Sequence, residues 1–168
     1  MNPKKMINLP NDEISREILK NLADLKAVAI DACSLIYLDR VQMLESLAAQ
    51  VQLITFPCIV AESRLSDPPV TLIIDPNDEL CNDQRIYALA EKLNLPLLSD
   101  DGDLLRKADK ADKPHYNTLM MLILLLTRNA LSKSELRRAC SSLKSFARYH
   151  PTIWRYAEIL LRKADFIL

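Results

Sequence analysis

Ala27-Val28-Ala29-Ile30-Asp31 decides the fold: four apolar residues in unbroken succession, closed by a carboxylate and followed from Ser34 by a helical pattern. A run this short and this apolar fits a strand buried on both faces, as parallel sheets require. The same grammar recurs downstream. Val51 to Phe56 is a second apolar run, broken by Pro57, after which Cys58 to Leu65 forms a short helix carrying Glu62. Val70 to Ile74 reads as an extra strand between the Ser66-Asp67-Pro68-Pro69 loop and an Asp75-Pro76-Asn77-Asp78 turn. Asn82 or Asp83 then opens a helix in which Ile86, Leu89, Ala90 and Leu93 share a face. Pro96-Leu97-Leu98-Ser99 is a brief strand, and Asp100-Asp101-Gly102-Asp103 is a loop or helix start. Strands alternating with helices predict parallel βαβ units, right-handed crossovers and functional groups beyond the strand C-termini.

The flanks are helical. Asn11 is placed to cap a first helix through Ile14, Ile18, Leu22 and Leu25, and Ser34 to Gln50 carries one continuous helical pattern. From Tyr116 onward the pattern is wholly helical. On a helix turning about 100° per residue, Lys133, Arg137, Lys144 and Arg148 fall in one basic stripe beside an apolar face of Leu136, Ala139, Cys140, Leu143 and Ala147. Pro151 ends that helix, and a last one through Trp154, Ala157, Leu160 and Leu161 packs on the body or on a second subunit.

Composition narrows the function. At 168 residues, 49% hydrophobic and 26% charged, the chain suits a single globular domain over 1–168. Its core spans about 27–131, with an N-terminal helix over about 11–26 and a C-terminal helical extension over about 132–168. The longest apolar run, Leu119 to Leu126, is too short for a membrane span, and Met1 to Met6 leads into polar sequence, so a cytoplasmic location is expected. Gly102 is the only glycine, which excludes the glycine-rich loops that cradle nucleotide phosphates. Cys33, Cys58, Cys81 and Cys140 form no Cys-x-x-Cys pair and neither His115 nor His150 lies near them, which argues for core thiols over a zinc site. The zero net charge is uneven: between Arg128 and Lys163 nine Lys or Arg face only Glu135 and Glu158. A basic tail on an acidic body can hold cations in one place and attract a polyanion to another, although solvated helix faces explain the charge equally well.

Asp31, Glu62, Asp83 and Asp101 each stand where an apolar run ends or within a helix that follows one, with Asp100 and Asp103 alongside. In a parallel sheet such positions meet at one edge. Asp31, Asp83 and Asp101 are also good helix caps, so each alone carries either reading. Glu62 lies too far into its helix to cap it. Gathered carboxylates repel one another, and a hard divalent cation is the usual counterweight. Oxygen donors without His or Cys favour Mg²⁺ or Mn²⁺, and that chemistry suits phosphodiester hydrolysis.

Four segments resemble the motifs of the PIN-domain nucleases, particularly the VapC-like toxin ribonucleases and related bacterial PIN proteins. Ile30-Asp31-Ala32-Cys33-Ser34-Leu35-Ile36-Tyr37-Leu38 is similar to the opening motif and Leu53-Ile54-Thr55-Phe56-Pro57-Cys58-Ile59-Val60-Ala61-Glu62 to the second. Asp83-Gln84-Arg85-Ile86-Tyr87-Ala88-Leu89-Ala90 is similar to the third and Leu97-Leu98-Ser99-Asp100-Asp101-Gly102-Asp103 to the fourth, in family order. The resemblance covers roughly 27 to 131 and implies a PIN-like three-layer sandwich, with a central parallel sheet of about four or five strands, helices on both faces and extra helices at both ends. It implies a Mg²⁺- or Mn²⁺-dependent endoribonuclease that acts on RNA, and it admits a toxin role, an antitoxin protein as partner and a homodimer.

The implied catalytic and metal-holding residues are Asp31, Glu62, Asp83 and Asp101, with Asp100 the competing choice for the fourth position and Asp103 a further candidate. Lys133, Arg137, Lys144 and Arg148 would grip the RNA backbone. Two residues after Asp31 the family has Ser, Thr or Asn where this chain has Cys33, and Ser34 stands in as the supporting hydroxyl. That departure keeps a second class open, a non-catalytic PIN-like nucleic-acid-binding or regulatory protein. A phosphatase with an Asp nucleophile typically repeats Asp at the Cys33 position, which disfavours it. Tyr116, Asn117 and Thr118 either face the pocket or serve turn and cap chemistry.

Overall fold

The computed structural model describes residues 11–74 and 80–167. Among them the chain builds α1 (Asp12–Ala23), β1 (Ala27–Ile30), α2 (Ala32–Arg40), α3 (Leu44–Ala48), β2 (Gln52–Thr55), α4 (Pro57–Ser63) and β3 (Thr71–Leu72). It continues with α5 (Asn82–Lys92), β4 (Leu97–Leu98), α6 (Gly102–Lys110), β5 (His115–Tyr116), α7 (Thr118–Thr127), α8 (Lys133–Lys144) and α9 (Pro151–Ile167). The predicted turn over 75–78 lies outside the described residues. No helix among them is long and apolar enough to cross a membrane.

The five strands form one all-parallel sheet in the order β3-β2-β1-β4-β5, an α/β architecture flanked by helices. Register places Val28 beside Leu53 and Ile30 beside Leu98. Both faces of β1 are covered, since Val28, Ala29 and Ile30 are all fully buried, as the unbroken apolar run requires. From β1 the chain winds outward through β2 to β3, then returns to β4 and winds the other way to β5. With right-handed crossovers, that reversal puts α2, α3 and α4 on one face and α5 and α6 on the other. It also leaves a crevice between the C-terminal ends of β1 and β4, where α/β sheets bind their ligands.

The helices outside the sheet enclose α7, whose residues Leu119 and Met121 to Leu126 are all buried. A helix apolar on every side needs cover all round, and α1, α2, α3, α8 and α9 supply it. Arg128, just past α7, donates to the carbonyls of Gln50 at 2.7 Å and Ala23 at 2.9 Å and to that of Leu25, tying α7 to the ends of α1 and α3. The last helix therefore packs on the body through α1 and α7.

Several boundaries differ from the sequence reading. The helix expected over Ser34 to Gln50 is two helices, because Gln42 takes a left-handed φ of 59° and turns the chain so that Val41, Met43 and Leu44 all reach the core. The strand expected over Val70 to Ile74 shrinks to Thr71–Leu72, an edge pair, and Ile74 is 89% exposed. Tyr116 belongs to a strand instead of a helix: Leu97 N–H donates to Pro114 O and Ser99 N–H to Tyr116 O, both at 3.0 Å. In α1, capped by Asn11 as expected, Leu19 and Leu22 face inward and Ile14 is exposed. The basic helix stops at Lys144, so Arg148 lies in the connection to α9. Cys58 and Cys140 pack half-buried against the core, whereas Cys33 and Cys81 are exposed and depart from the core-thiol expectation; all four are free.

Candidate metal centre

Asp31 follows the last residue of β1 and caps α2 by accepting the Ser34 N–H on Oδ1 at 2.7 Å. Its Oδ2 accepts the Ser99 hydroxyl from the end of β4. The capping reading and the pocket reading of Asp31 thus describe one side chain. It is 4% exposed, and burial pushes its carboxyl up from 3.8 to about 7, against the opposing pull of the Ser99 and Ser34 hydrogen bonds. A buried carboxylate with only two donors and no cationic partner holds its charge poorly.

Asp101 caps α6, its Oδ1 accepting from Asp103 N–H at 2.8 Å and Leu104 N–H at 2.9 Å. Its backbone N–H donates to Ser99 Oγ at 3.0 Å, so one hydroxyl bridges the two strand ends. Among the described residues Asp101 Oδ2 accepts no hydrogen bond. Asp100 has the opposite character. Its Oδ1 accepts Thr118 N–H at 3.1 Å and the Tyr149 hydroxyl, and its Oδ2 accepts Ser34 Oγ at 2.7 Å and Thr118 Oγ1 at 2.5 Å. Four donors fill the usual acceptor capacity of a carboxylate. Burial still raises the Asp100 carboxyl, with the hydroxyl donors opposing it.

Glu62 is exposed on α4, and Asn82 donates to its Oε2 at 2.5 Å. Asp83 is exposed in the first turn of α5, one residue beyond Asn82; it does not cap the helix, because Cys81 holds the cap position. Its carboxyl is raised by burial first and then by repulsion from Asp101, Glu62 and Asp103. Cys33 reports the same gathering from the other side. Burial, followed by the charges of Asp31, Asp101, Asp100 and Glu62, pushes its thiol up to about 12. The four sequence-predicted carboxylates thus share one electrostatic neighbourhood at the β1–β4 crevice. Asp103 stands at its edge, exposed and paired with Arg106.

No group of three or more Asp, Glu, His or Cys side chains among the described residues is drawn in closely enough to hold a metal ion as it stands. The donor set nevertheless fits a hard cation: oxygen ligands from four elements, carboxyls of Asp31 and Asp83 that are raised by burial, and an Asp101 oxygen without a donor. Ser34 touches two carboxylates: its hydroxyl donates to Asp100 and its N–H to Asp31.

Sequence reasoning missed Ser99, Asn82 and Tyr149. Ser99 carries a signal, as a lone hydroxyl closing an apolar strand, whereas Tyr149 is 49 residues from its partner Asp100. Of the three residues left open after β5, Asn117 caps α7 by accepting from Met120 N–H at 3.0 Å, Thr118 binds Asp100, and Tyr116 is half-buried away from the carboxylates in a cavity with Tyr156, Leu119 and Ile153. Lys133, Arg137 and Lys144 lie exposed on α8, whose Leu136, Ala139 and Leu143 face the core. Compared with protein-family models, curated proteins and solved structures, the chain matches none of them.

Proposed function

We propose that the chain is a divalent-metal-dependent endoribonuclease of PIN type, acting in the cytoplasm and, more finely, as the toxin of a toxin–antitoxin pair. The observation that carries this reading is Asp31, buried at the sheet's switch point without a cationic partner, on a crevice where Cys33 feels Asp31, Asp101 and Glu62 and Asp83 feels Asp101 and Glu62. Mg²⁺ or Mn²⁺ held by these four residues would supply a nucleophilic hydroxide and offset charge on the scissile phosphodiester. The protein's own part is positioning. Ser99 and the Ser34 N–H fix both oxygens of Asp31, and the α6 N-terminus orients Asp101 through Oδ1 alone. Asn82 holds Glu62. Exposed Lys144 and Arg148 supply the cationic surface that an RNA backbone needs. Incubating structured and single-stranded RNA with Mn²⁺ tests the assignment. The wild type should cleave and Asp31→Asn should not; equal activity in the two would remove it.

One observation favours a second reading, a non-catalytic PIN-like RNA-binding or regulatory protein. Cys33 stands where a hydroxyl or amide is expected, and the Ser34 hydroxyl is committed to Asp100. Calorimetric titration with Mn²⁺ separates the two, since the nuclease must bind the ion with an affinity that Asp31→Asn abolishes.

A further inference from the structure

Between the acidic crevice and the basic tail runs a ladder of aromatic rings. Trp154 packs on Tyr149 with ring centroids 5.6 Å apart, Tyr149 on Tyr37 at 6.4 Å, and Tyr37 meets Phe146 edge-on at 5.1 Å and 80°. Cations cover both ends. The Arg40 guanidinium lies 3.8 Å from the centroid of the Phe146 ring, and Lys144 Nζ lies 4.9 Å from that of Trp154. The ladder is fixed to the crevice, because Tyr149 donates to Asp100 and Tyr37 feels the charges of Asp100, Arg148 and Arg40. Arg40, Lys144 and Arg148 are exposed, and among the described residues none of them is ion-paired to a carboxylate. Arg40 closes the helix that Asp31 caps, and the nine-residue length of α2 sets it roughly 14 Å along that helix from the crevice.

An exposed guanidinium seated over one ring can offer its outer face as a platform, and unpaired bases stack on such planes. The two further unneutralised cations, Lys144 and Arg148, match a phosphate backbone. A duplex keeps its base faces inside its own stack, so only a single strand can use both features. Resting on the nuclease reading, we propose that Arg40, seated on Phe146, stacks an unpaired base of single-stranded RNA, while Lys144 and Arg148 hold its backbone phosphates. The exit path of the substrate is then the α2 face joined to the α8–α9 connection.

Fluorescence anisotropy of the full chain in EDTA tests this without cleavage, using a labelled single-stranded RNA of about 12 nucleotides, an abasic strand of equal length and a duplex. Wild type should bind the RNA about tenfold more tightly than the abasic strand. Arg40→Lys keeps the charge and loses the plane, so it should erase that difference while leaving abasic binding and its salt dependence unchanged. Equal binding of RNA and abasic strand by wild type would overturn the proposal. So would discrimination that survives in Arg40→Lys, or binding of the duplex or of polyglutamate as tight as that of the single strand. Base discrimination without Mn²⁺-dependent cleavage would remove the nuclease and keep this site; cleavage without discrimination would do the reverse.

Discussion

Replacing Asp31 by Asn changes one oxygen to an amide nitrogen in a site with room for it. Oδ1 can still accept the Ser34 N–H, and the new amide can donate to Ser99 Oγ, which already accepts from Asp101 N–H and has a second lone pair. What disappears is the buried charge, together with the acceptor of the Ser99 hydroxyl, whose loss does not vary with pH. A carboxyl raised from 3.8 to about 7 is favoured when protonated. Its contribution to stability is therefore complete below the unfolded value, and it is lost as pH rises through the folded one. That shift is worth about 4 kcal/mol in full, of which roughly 2 to 3 kcal/mol falls between about pH 5 and pH 8. Urea denaturation followed by circular dichroism in EDTA should show Asp31→Asn gaining that much on wild type across the interval. Burial at Asp100 and Asp83 acts in both proteins, so the difference reports Asp31 together with its repulsion from Asp100. Excess Mg²⁺ or Mn²⁺ should stabilise wild type at the upper pH and do little for the variant. Parallel pH profiles for the two proteins would refute the claim that Asp31 is buried without compensation.

Tyr149→Phe removes one of the four donors to buried Asp100 and should cost about 1–3 kcal/mol, read as a lowered urea midpoint at constant slope. Arg128→Met keeps much of the aliphatic packing but frees the carbonyls at the ends of α1 and α3; a loss of about 1.5–3 kcal/mol is expected from the same titration. Cys33 and Cys81 are both exposed residues, yet burial of the thiol and then the carboxylate charges raise Cys33 to about 12, so iodoacetamide near neutral pH should label Cys81 well before Cys33, as peptide mass mapping would show. RNA affinity in EDTA should fall steeply with salt, and Arg148→Ala should reduce the slope of log K against log salt by about one.

The sequence made the sheet legible wherever burial leaves a local mark. Val28 to Ile30 and Leu53 to Thr55 are continuous apolar or β-branched runs because helices cover both faces of β1 and β2. β5 leaves no such mark. His115 and Tyr116 are a half-buried edge pair, and their strand character comes from hydrogen bonds to β4. The break at Gln42 was hidden for a related reason: Leu35, Leu38, Val41 and Leu44 keep helical spacing across it, and only the left-handed φ reveals the turn. Arg148 shows the opposite failure. Helical spacing carries the stripe past Lys144, whereas α8 ends there and the chain turns to bring Phe146 and Tyr149 onto Tyr37.

Asp100 and Asp101 are adjacent and chemically identical, so no local signal separates them; their partners do. Asp100 turns inward at the end of β4 and is filled by Ser34, Thr118 and Tyr149, three residues spread over 115 positions of chain. Asp101 turns outward, spends one oxygen on the α6 N-terminus and leaves the other toward the crevice shared with Glu62 and Asp83. A carboxylate with all its acceptor sites filled would have to give up protein donors to bind a cation, at a cost of about 1–3 kcal/mol for each hydroxyl or amide left without its partner. One with a free oxygen pays no such penalty. The ligand choice favours Asp101 on that difference, and Asp100 becomes the post that fixes α2, α7 and the α8–α9 connection around the site. Because Ser34 donates to Asp100 through its hydroxyl and to Asp31 through its N–H, displacement of Tyr149 can reach Asp31 through Asp100 and Ser34. The helical extension that carries Tyr149 is therefore part of the structure that holds the candidate centre in place.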